Sequence, residues 1–249
     1  MIKTNSMSVT FVGPWLGTVA PPAAGPPILP PLYGSTTPPG SGSFSGGYAA
    51  AADPAWASAR HFSAWGRAAA TDQYLIREVV QDYSPDLMLL MLGFNDLGWF
   101  YSNPSGTLNS IYNIIQNART ANPNIAIAVA NIPQRSSLNR QDLPANAKLY
   151  NDLLAKAVPV WTTPQSPIAL VHLQENYNCN VNSCPAGYDG LHPNELGEYQ
   201  IAQAFSQTLH TIFGYGSGPI LIPLSIPARP LPMPSNFRVF TSPQGVTAT

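Results

Sequence analysis

The chain has 249 residues, with 11 Lys plus Arg against 12 Asp plus Glu, a formal net charge of −1, and only 9% charged residues. Such a near-neutral surface gives no electrostatic footprint for nucleic acid or for an anionic membrane. A hydrophobic content of 45% excludes wholesale disorder, the length suffices for one domain with a substantial core plus tails, and no apolar run approaches the ~20 residues of a transmembrane helix.

Residues 1–10 lack the charged, apolar and small-residue succession of a signal peptide. Residues 9–12 read as a short strand closed by Gly13-Pro14. Residues 21–47, rich in Pro, Gly, Ser and Thr without a hydrophobic period, read as a long surface loop. Residues 71–83 place Leu75, Ile76, Val79, Val80 and Tyr83 on one helical face, and Ser84-Pro85 stops that helix. Residues 86–92 form a continuous apolar run, as expected of a strand buried on both faces. A helix is predicted over 107–121, with Leu108, Ile111, Ile115 and Ala118 inward and Thr107 or Ser105 as N-cap. A buried strand over 125–130, a helix over 145–158 and a third apolar strand over 168–173 follow. Asn194 caps a last helix with a stripe of Tyr199, Ala202, Phe205, Leu209 and Ile212, ended by Gly214.

Alternating strands and helices with short links mean a parallel sheet covered by helices, an α/β fold of three layers. The expected organisation is one domain over 1–215, a Pro-rich linker over 216–234 and a short terminal segment over 235–249. Cys179 and Cys184 lie in a polar loop. They form either a small loop-closing disulfide, which would imply an oxidising compartment, or two free thiols. No His pattern beside them suits zinc.

In open parallel sheets the active crevice lies at the C-terminal strand ends. Asp189 and His192 fall there, spaced i, i+3 ahead of the last helix. A His acting as general base needs a carboxylate on its other ring nitrogen, to fix the tautomer and stabilise the imidazolium. The same spacing also fits a plain helix-entry turn. Asn95 follows a buried strand and a glycine; its amide can donate to a developing oxyanion or simply satisfy loop backbone. Trp99, Phe100 and Tyr101 come next and could shape an acyl or sugar pocket, or form an unoccupied apolar lid. His61 could line the crevice or the surface. His172 reads as a satisfied structural residue and His210 as a solvated one.

Gly93-Phe94-Asn95-Asp96 resembles the GxND block of the SGNH, or GDSL-type, hydrolases, and Asp189-Gly190-Leu191-His192-Pro193-Asn194 resembles their DGxHPN block. The run from Ser84-Pro85-Asp86 to Asp96, the Ala130-Asn131-Ile132-Pro133 strand end and the Arg60-to-Gly66 segment are similar to further parts of the family pattern, the last in the form of acetyl-esterase-like members. The resemblance spans roughly residues 9–213. It implies an SGNH-like, flavodoxin-like sandwich that hydrolyses carboxylic esters, including acetyl groups on carbohydrate. His192 would be the general base, Asp189 its orienting partner, and the Asn95 side chain and Gly66 backbone N–H the oxyanion-hole donors. No metal or organic cofactor is implied, and the partner is a small-molecule or carbohydrate ester.

The family's nucleophilic serine belongs to a Gly-Asp-Ser block at the end of a first strand, and this sequence contains no Gly-Asp-Ser. The expectation is therefore that the first strand is missing and the nucleophile unassigned. Ser6 abuts the expected strand without an intervening helix, Ser41, Ser43 and Ser45 lie in the 21–47 loop, and Ser63 sits in the second block. Loss of a triad serine costs about 10⁶-fold in rate, so the chain is expected to be impaired, a carbohydrate-binding relic, or one part of a split enzyme. Residues 235–249 resemble the opening of a fibronectin type III module, which with the rest implies a secreted parent protein.

Overall fold

The protein is described by a computed structural model over residues 9–17, 48, 53–63, 66–133, 136–138, 140–226, 239–242 and 245–248. The 21–47 loop and Ser6, Ser41, Ser43 and Ser45 lie outside the described residues. Three parallel strands, β3 (Leu87–Leu90), β4 (Ala126–Ala130) and β5 (Ile168–Val171), form the central sheet in the order β3-β4-β5. Two short strands, β1 (Trp15–Leu16) and β2 (Arg60–His61), pair antiparallel in a separate ribbon.

β4 shows why the sheet is sandwiched. Its alternate side chains Ile127 and Val129 enter one apolar cluster, while Ala128 and Ala130 enter the other, as the period of two requires. The larger cluster gathers α2 (Ile76–Tyr83), α4 (Pro104–Ala121) and α5 (Asp142–Trp161) through Val80, Ile111, Ile115, Ala118, Tyr150 and Leu154. The opposite one gathers α6 (Leu173–Asn176) and α7 (Glu195–Thr211) through Leu173, Ala204 and Leu209. Small alanines on that second face let α7 sit close to the sheet.

Several boundaries differ from the sequence reading. The helix expected over 71–83 is divided into α1 (Ala69–Asp72) and α2, with a turn at Gln73–Leu75 between them. Ser84 ends α2 in the left-handed region at φ 44. The N-cap of α4 is Asn103, whose side chain accepts from Gly106 N–H at 2.8 Å, with Pro104 at the first helical position. Asn at N-cap and Pro next to it leave only donors that the helix start can spare, so Thr107, fully buried, is free to pack inward. Residues 9–12 are not a strand; pairing falls on Trp15–Leu16 instead, with Phe11 O accepting from Arg60 N–H at 3.2 Å.

β3 is not buried on both faces. Leu90 is buried, but Leu89 is 48% exposed and Met91 42% exposed: the α6–α7 cluster takes in Leu87 at the start of the strand but neither Leu89 nor Met91. On α7 the buried side is Gly197, Gln200, Ala204, Thr208 and Leu209, while Ile212 is largely exposed. The face expected outward is drawn in by residues past the helix: Gln203 donates to Ile220 O at 2.9 Å and Ile220 N–H donates to Ser206 Oγ at 2.8 Å. The beginning of the expected linker thus docks on α7. Near the C-terminus β6 (Val239–Ser242) and β7 (Gly245–Ala248) form an antiparallel hairpin.

The Tyr150 side chain lies wholly inside the larger cluster, and its hydroxyl has no hydrogen-bond partner among the described residues. Burial drives its pKa upward, with the Asp96 charge adding to the effect. An unsatisfied buried hydroxyl costs about 1–3 kcal/mol. Tyr150→Phe, which deletes only that oxygen, should therefore hold or raise the thermal midpoint, read by circular dichroism.

Candidate active site

Because the three central strands are parallel and in register, their C-terminal ends share one rim. The segment after β3 is α3 (Phe94–Gly98), which carries Asn95. The segment after β5 leads through α6 to the Asp189–His192 turn. The two groups thus belong to segments that leave strands two places apart in the sheet. The segment after β4 ties them together. Ser136 donates from both its N–H and its Oγ to Gly190 O, each at 3.1 Å, and Arg140 Nη1 donates to Leu97 O at 3.0 Å and Gly98 O at 2.7 Å.

The Asp189–His192 turn is built by one carboxylate. Asp189 Oδ1 accepts the backbone N–H of Leu191 at 2.9 Å and of His192 at 2.7 Å. Oδ2 stands 2.6 Å from His192 Nδ1. That contact assigns the proton to Nδ1 and leaves Nε2 as the unprotonated, basic nitrogen. Nε2 makes no hydrogen bond among the described residues. Gly190 sits between them at φ +79, with Ser136 packed where a Cβ would stand, so this turn requires glycine twice over. Tyr188 stacks on the imidazole, centroids 5.9 Å apart and planes 18° apart.

Partial burial pulls the Asp189 carboxyl upward, but the hydrogen bonds from the His192 ring and from the two backbone N–H groups prevail and bring it down to about 2. An unfolded Asp titrates near ~3.9. A lowered folded pKa gives stability that is present above the unfolded value and is lost as pH falls through the folded one. The thermal midpoint of the parent protein should therefore exceed that of Asp189→Asn near pH 5, and the difference should shrink between pH 4 and pH 2. Asn preserves the Oδ1 acceptor for the two backbone N–H groups, so the comparison reads the loss of the charge together with its bond to His192 Nδ1.

Asn95 is held at both ends. Its Nδ2 donates to Arg67 O at 2.8 Å, and its Oδ1 accepts from Trp99 Nε1 at 3.0 Å. One Nδ2 hydrogen remains for a ligand, since the amide has two. Arg67 follows Gly66, which is exposed at φ +75, so the hydrogen bond to Arg67 O ties Asn95 to the residue next to Gly66. Next in sequence, the fully buried Asp96 accepts from Ala69 N–H at 2.8 Å and Ala70 N–H at 2.9 Å. It receives the first turn of α1 and pins it to α3. Burial raises the Asp96 pKa, opposed by those two N–H groups.

Arg67 itself is buried. Its Nε donates to Asp72 Oδ1 at 2.6 Å, and its Nη2 reaches the same carboxylate. The guanidinium also lies over the rings of Phe62 at 5.6 Å and Trp15 at 5.9 Å. Burial raises the Asp72 pKa, against the attraction of Arg67.

The remaining histidines are used elsewhere. His61 Nδ1 accepts from Ser63 N–H at 3.1 Å and Nε2 donates to Gly17 O at 3.0 Å, so both nitrogens are engaged. His210, expected to be solvated, is half-buried with Nδ1 2.9 Å from Gly216 O. His172, expected to be a satisfied structural residue, has an exposed side chain 3.5 Å from Glu175 Oε1. Among the described residues no group of three or more His, Cys, Asp or Glu is placed to hold a metal, and no helix is long and apolar enough to cross a membrane.

Cys179 and Cys184 are joined by a disulfide across five positions. Both pack against the α6–α7 cluster, ahead of the Asp189 turn. Closing so short a loop removes about 2 kcal/mol of unfolded-chain entropy. Reduction should lower the thermal midpoint by several degrees, roughly 4–8 °C at 2–4 °C per kcal/mol.

Arg67, Asp72, Asp96, Arg140 and Tyr188 escaped the sequence reading. Asp96 was visible as the last letter of the GxND block, but nothing in the sequence says that its carboxylate caps a helix 26 residues upstream.

The profile of the GDSL-like lipase/acylhydrolase family matches residues 33–199. Among solved structures, a carbohydrate esterase family 3 protein from Talaromyces cellulolyticus is 25% identical, with a TM-score of 0.53 over 61% of this chain and 70% of that one. An acetyl esterase mutant with acetate ion is 23% identical, with a TM-score of 0.56 over 66% and 76% of the two chains. A Clostridium thermocellum family 3 carbohydrate esterase is 21% identical, with a TM-score of 0.50 over 70% and 82%. The latter two likenesses concern the fold. No curated protein sequence matches the chain. With its parallel sheet, its rim turns and two thirds of its length within the family profile, the chain belongs to the GDSL-like lipase/acylhydrolase family of ester hydrolases.

Proposed function

We propose that the protein hydrolyses carboxylic esters, acetyl groups on carbohydrate among them, with His192 and Asp189 as the proton-handling pair and Asn95 and Gly66 as the oxyanion donors. The observation that carries this is the 2.6 Å contact between Asp189 and His192 on the same sheet rim as the doubly anchored Asn95 amide. In this reading Nε2 of His192 removes the proton from the hydroxyl of a still unassigned serine, which takes the acyl group, and later from the water that releases the acid. The tetrahedral oxyanion is received by the second Nδ2 hydrogen of Asn95 and by the Gly66 N–H. Asp189 stabilises the imidazolium, which then returns the proton to the departing alcohol. The 1–215 unit would carry this chemistry, and the Cys179–Cys184 disulfide supports an oxidising, extracellular setting.

Asn95→Ala should lower the hydrolysis of p-nitrophenyl acetate by about 10²–10³-fold, the usual cost of one oxyanion donor, with an unchanged circular dichroism spectrum. An unchanged rate would remove Asn95 from the reaction. A second reading, a non-catalytic carbohydrate binder, is favoured by the lack of Gly-Asp-Ser in the sequence. It predicts equal, background rates for the parent protein and for Asn95→Ala.

A further inference from the structure

Three aromatic side chains stand open to solvent at the rim that carries Asn95 and His192. Trp99 is 52% exposed, Phe100 76% and Tyr188 69%. Each is held in place in spite of that exposure. The indole N–H of Trp99 is committed to Asn95 Oδ1 at 3.0 Å, which leaves its ring faces as what it can offer a ligand. Phe100 sits at φ +62, a left-handed conformation that is unfavourable for a non-glycine residue. The Arg140 guanidinium lies 3.9 Å from the Phe100 ring centroid, while the same side chain grips Leu97 O and Gly98 O. Tyr188 is stacked on the imidazole of His192.

Trp99 is held at its edge, whereas Phe100 and Tyr188 are each held on one face, by Arg140 and by His192. Rings so fixed and still largely in water suit a flat partner whose own faces are apolar and whose rim is polar. A pyranose ring is such a partner. Its axial C–H groups carry slight positive charge that meets the negative face of an aromatic ring, and its hydroxyls stay hydrated or bond to neighbours such as Arg140. An acyl chain would instead call for an enclosed apolar pocket, not separate exposed faces. The low net charge of the chain also fits a neutral ligand.

We infer that Trp99, Phe100 and Tyr188 form a sugar-binding platform that receives the alcohol portion of the ester, with Arg140 fixing the Phe100 wall. The inference rests on the hydrolase reading only for its orientation toward the ester; the stacking itself needs no turnover.

The test is binding by the full chain to oligosaccharides of glucose, xylose and N-acetylglucosamine, with and without O-acetyl groups, and to hexanoate as an acyl-chain probe. The readout is the Trp99 indole N–H resonance together with calorimetric affinity. At least one sugar should move that resonance, and Trp99→Leu, Phe100→Leu and Tyr188→Leu should each weaken its binding by about fivefold or more, in line with losses of aromatic stacking elsewhere. Tyr112→Leu, on α4 against Trp161 at 5.3 Å, should leave affinity unchanged. The substituted side chains are exposed, and circular dichroism verifies the fold of each variant. Silence of the Trp99 resonance toward every sugar, binding of hexanoate in place of sugar, or unaltered affinity in the three variants would each overturn the platform. Sugar binding without any His192-dependent hydrolysis would leave the platform standing and remove the hydrolase reading.

Discussion

His192→Ala should bring whatever hydrolysis of p-nitrophenyl acetate the chain sustains down to the rate of the buffer. In a complete triad, loss of the base costs about 10⁶-fold; with the serine unassigned, the drop is bounded by the rate of the unsubstituted chain. The expectation rests on the geometry of the 189–192 turn. Asp189 uses one oxygen to hold the backbone and the other to hold Nδ1, so it fixes both where the ring is and which nitrogen is basic. Asp189→Asn keeps the first function and loses the second, and should cost about 10⁴-fold through the wrong tautomer. Rates in the parent protein, His192→Ala and Asp189→Asn that are all equal would dispose of the base assignment. The side chains are exposed, so none of these changes should lower the thermal midpoint by more than a few degrees.

Asp72→Ala acts on stability instead. It removes the carboxylate that answers Arg67, whose side chain is 3% exposed, and strands a positive charge inside the protein. Breaking a buried pair from one side costs about 3–5 kcal/mol, which at 2–4 °C per kcal/mol lowers the thermal midpoint by roughly 6–20 °C. The double change Arg67→Met, Asp72→Leu removes both charges and should recover most of that loss. Melting followed by circular dichroism separates the two outcomes, and a single variant as stable as the parent would refute the argument. Because Arg67 O is also the anchor for Asn95 Nδ2, Asp72→Ala should disturb the oxyanion donor as well as the fold, whereas Asn95→Ala disturbs only the former.

The sequence was most readable where a local pattern has one structural solution. β4, fully buried on both faces, and the Asn194 cap of α7, accepting from Gly197 N–H at 3.1 Å, were both legible from a few neighbouring residues. The Asp189–His192 pairing followed from spacing and from the family resemblance together. β3 was misjudged because an apolar run states what a strand tolerates, not what covers it; exposure of Leu89 depends on where α7 lies, more than a hundred residues later. On α7 the expected stripe holds at Leu209 and Phe205, which pack in the α6–α7 cluster, and fails at Ile212, while Ser206 is covered by residues past the helix that fold back onto it. Asp96 and Arg67 were opaque because their partners, Ala69, Ala70 and Asp72, are chosen by the meeting of α1 and α3. No sequence period encodes that meeting.

The uncovered flank of β3 also bears on how the protein behaves in bulk. Leu89 and Met91 offer an oily strip on a molecule whose charges nearly cancel, so little mutual repulsion keeps copies apart at neutral pH. Concentrated stocks should cloud sooner than dilute ones, and a lysine in place of Leu89 should raise the concentration at which turbidity sets in.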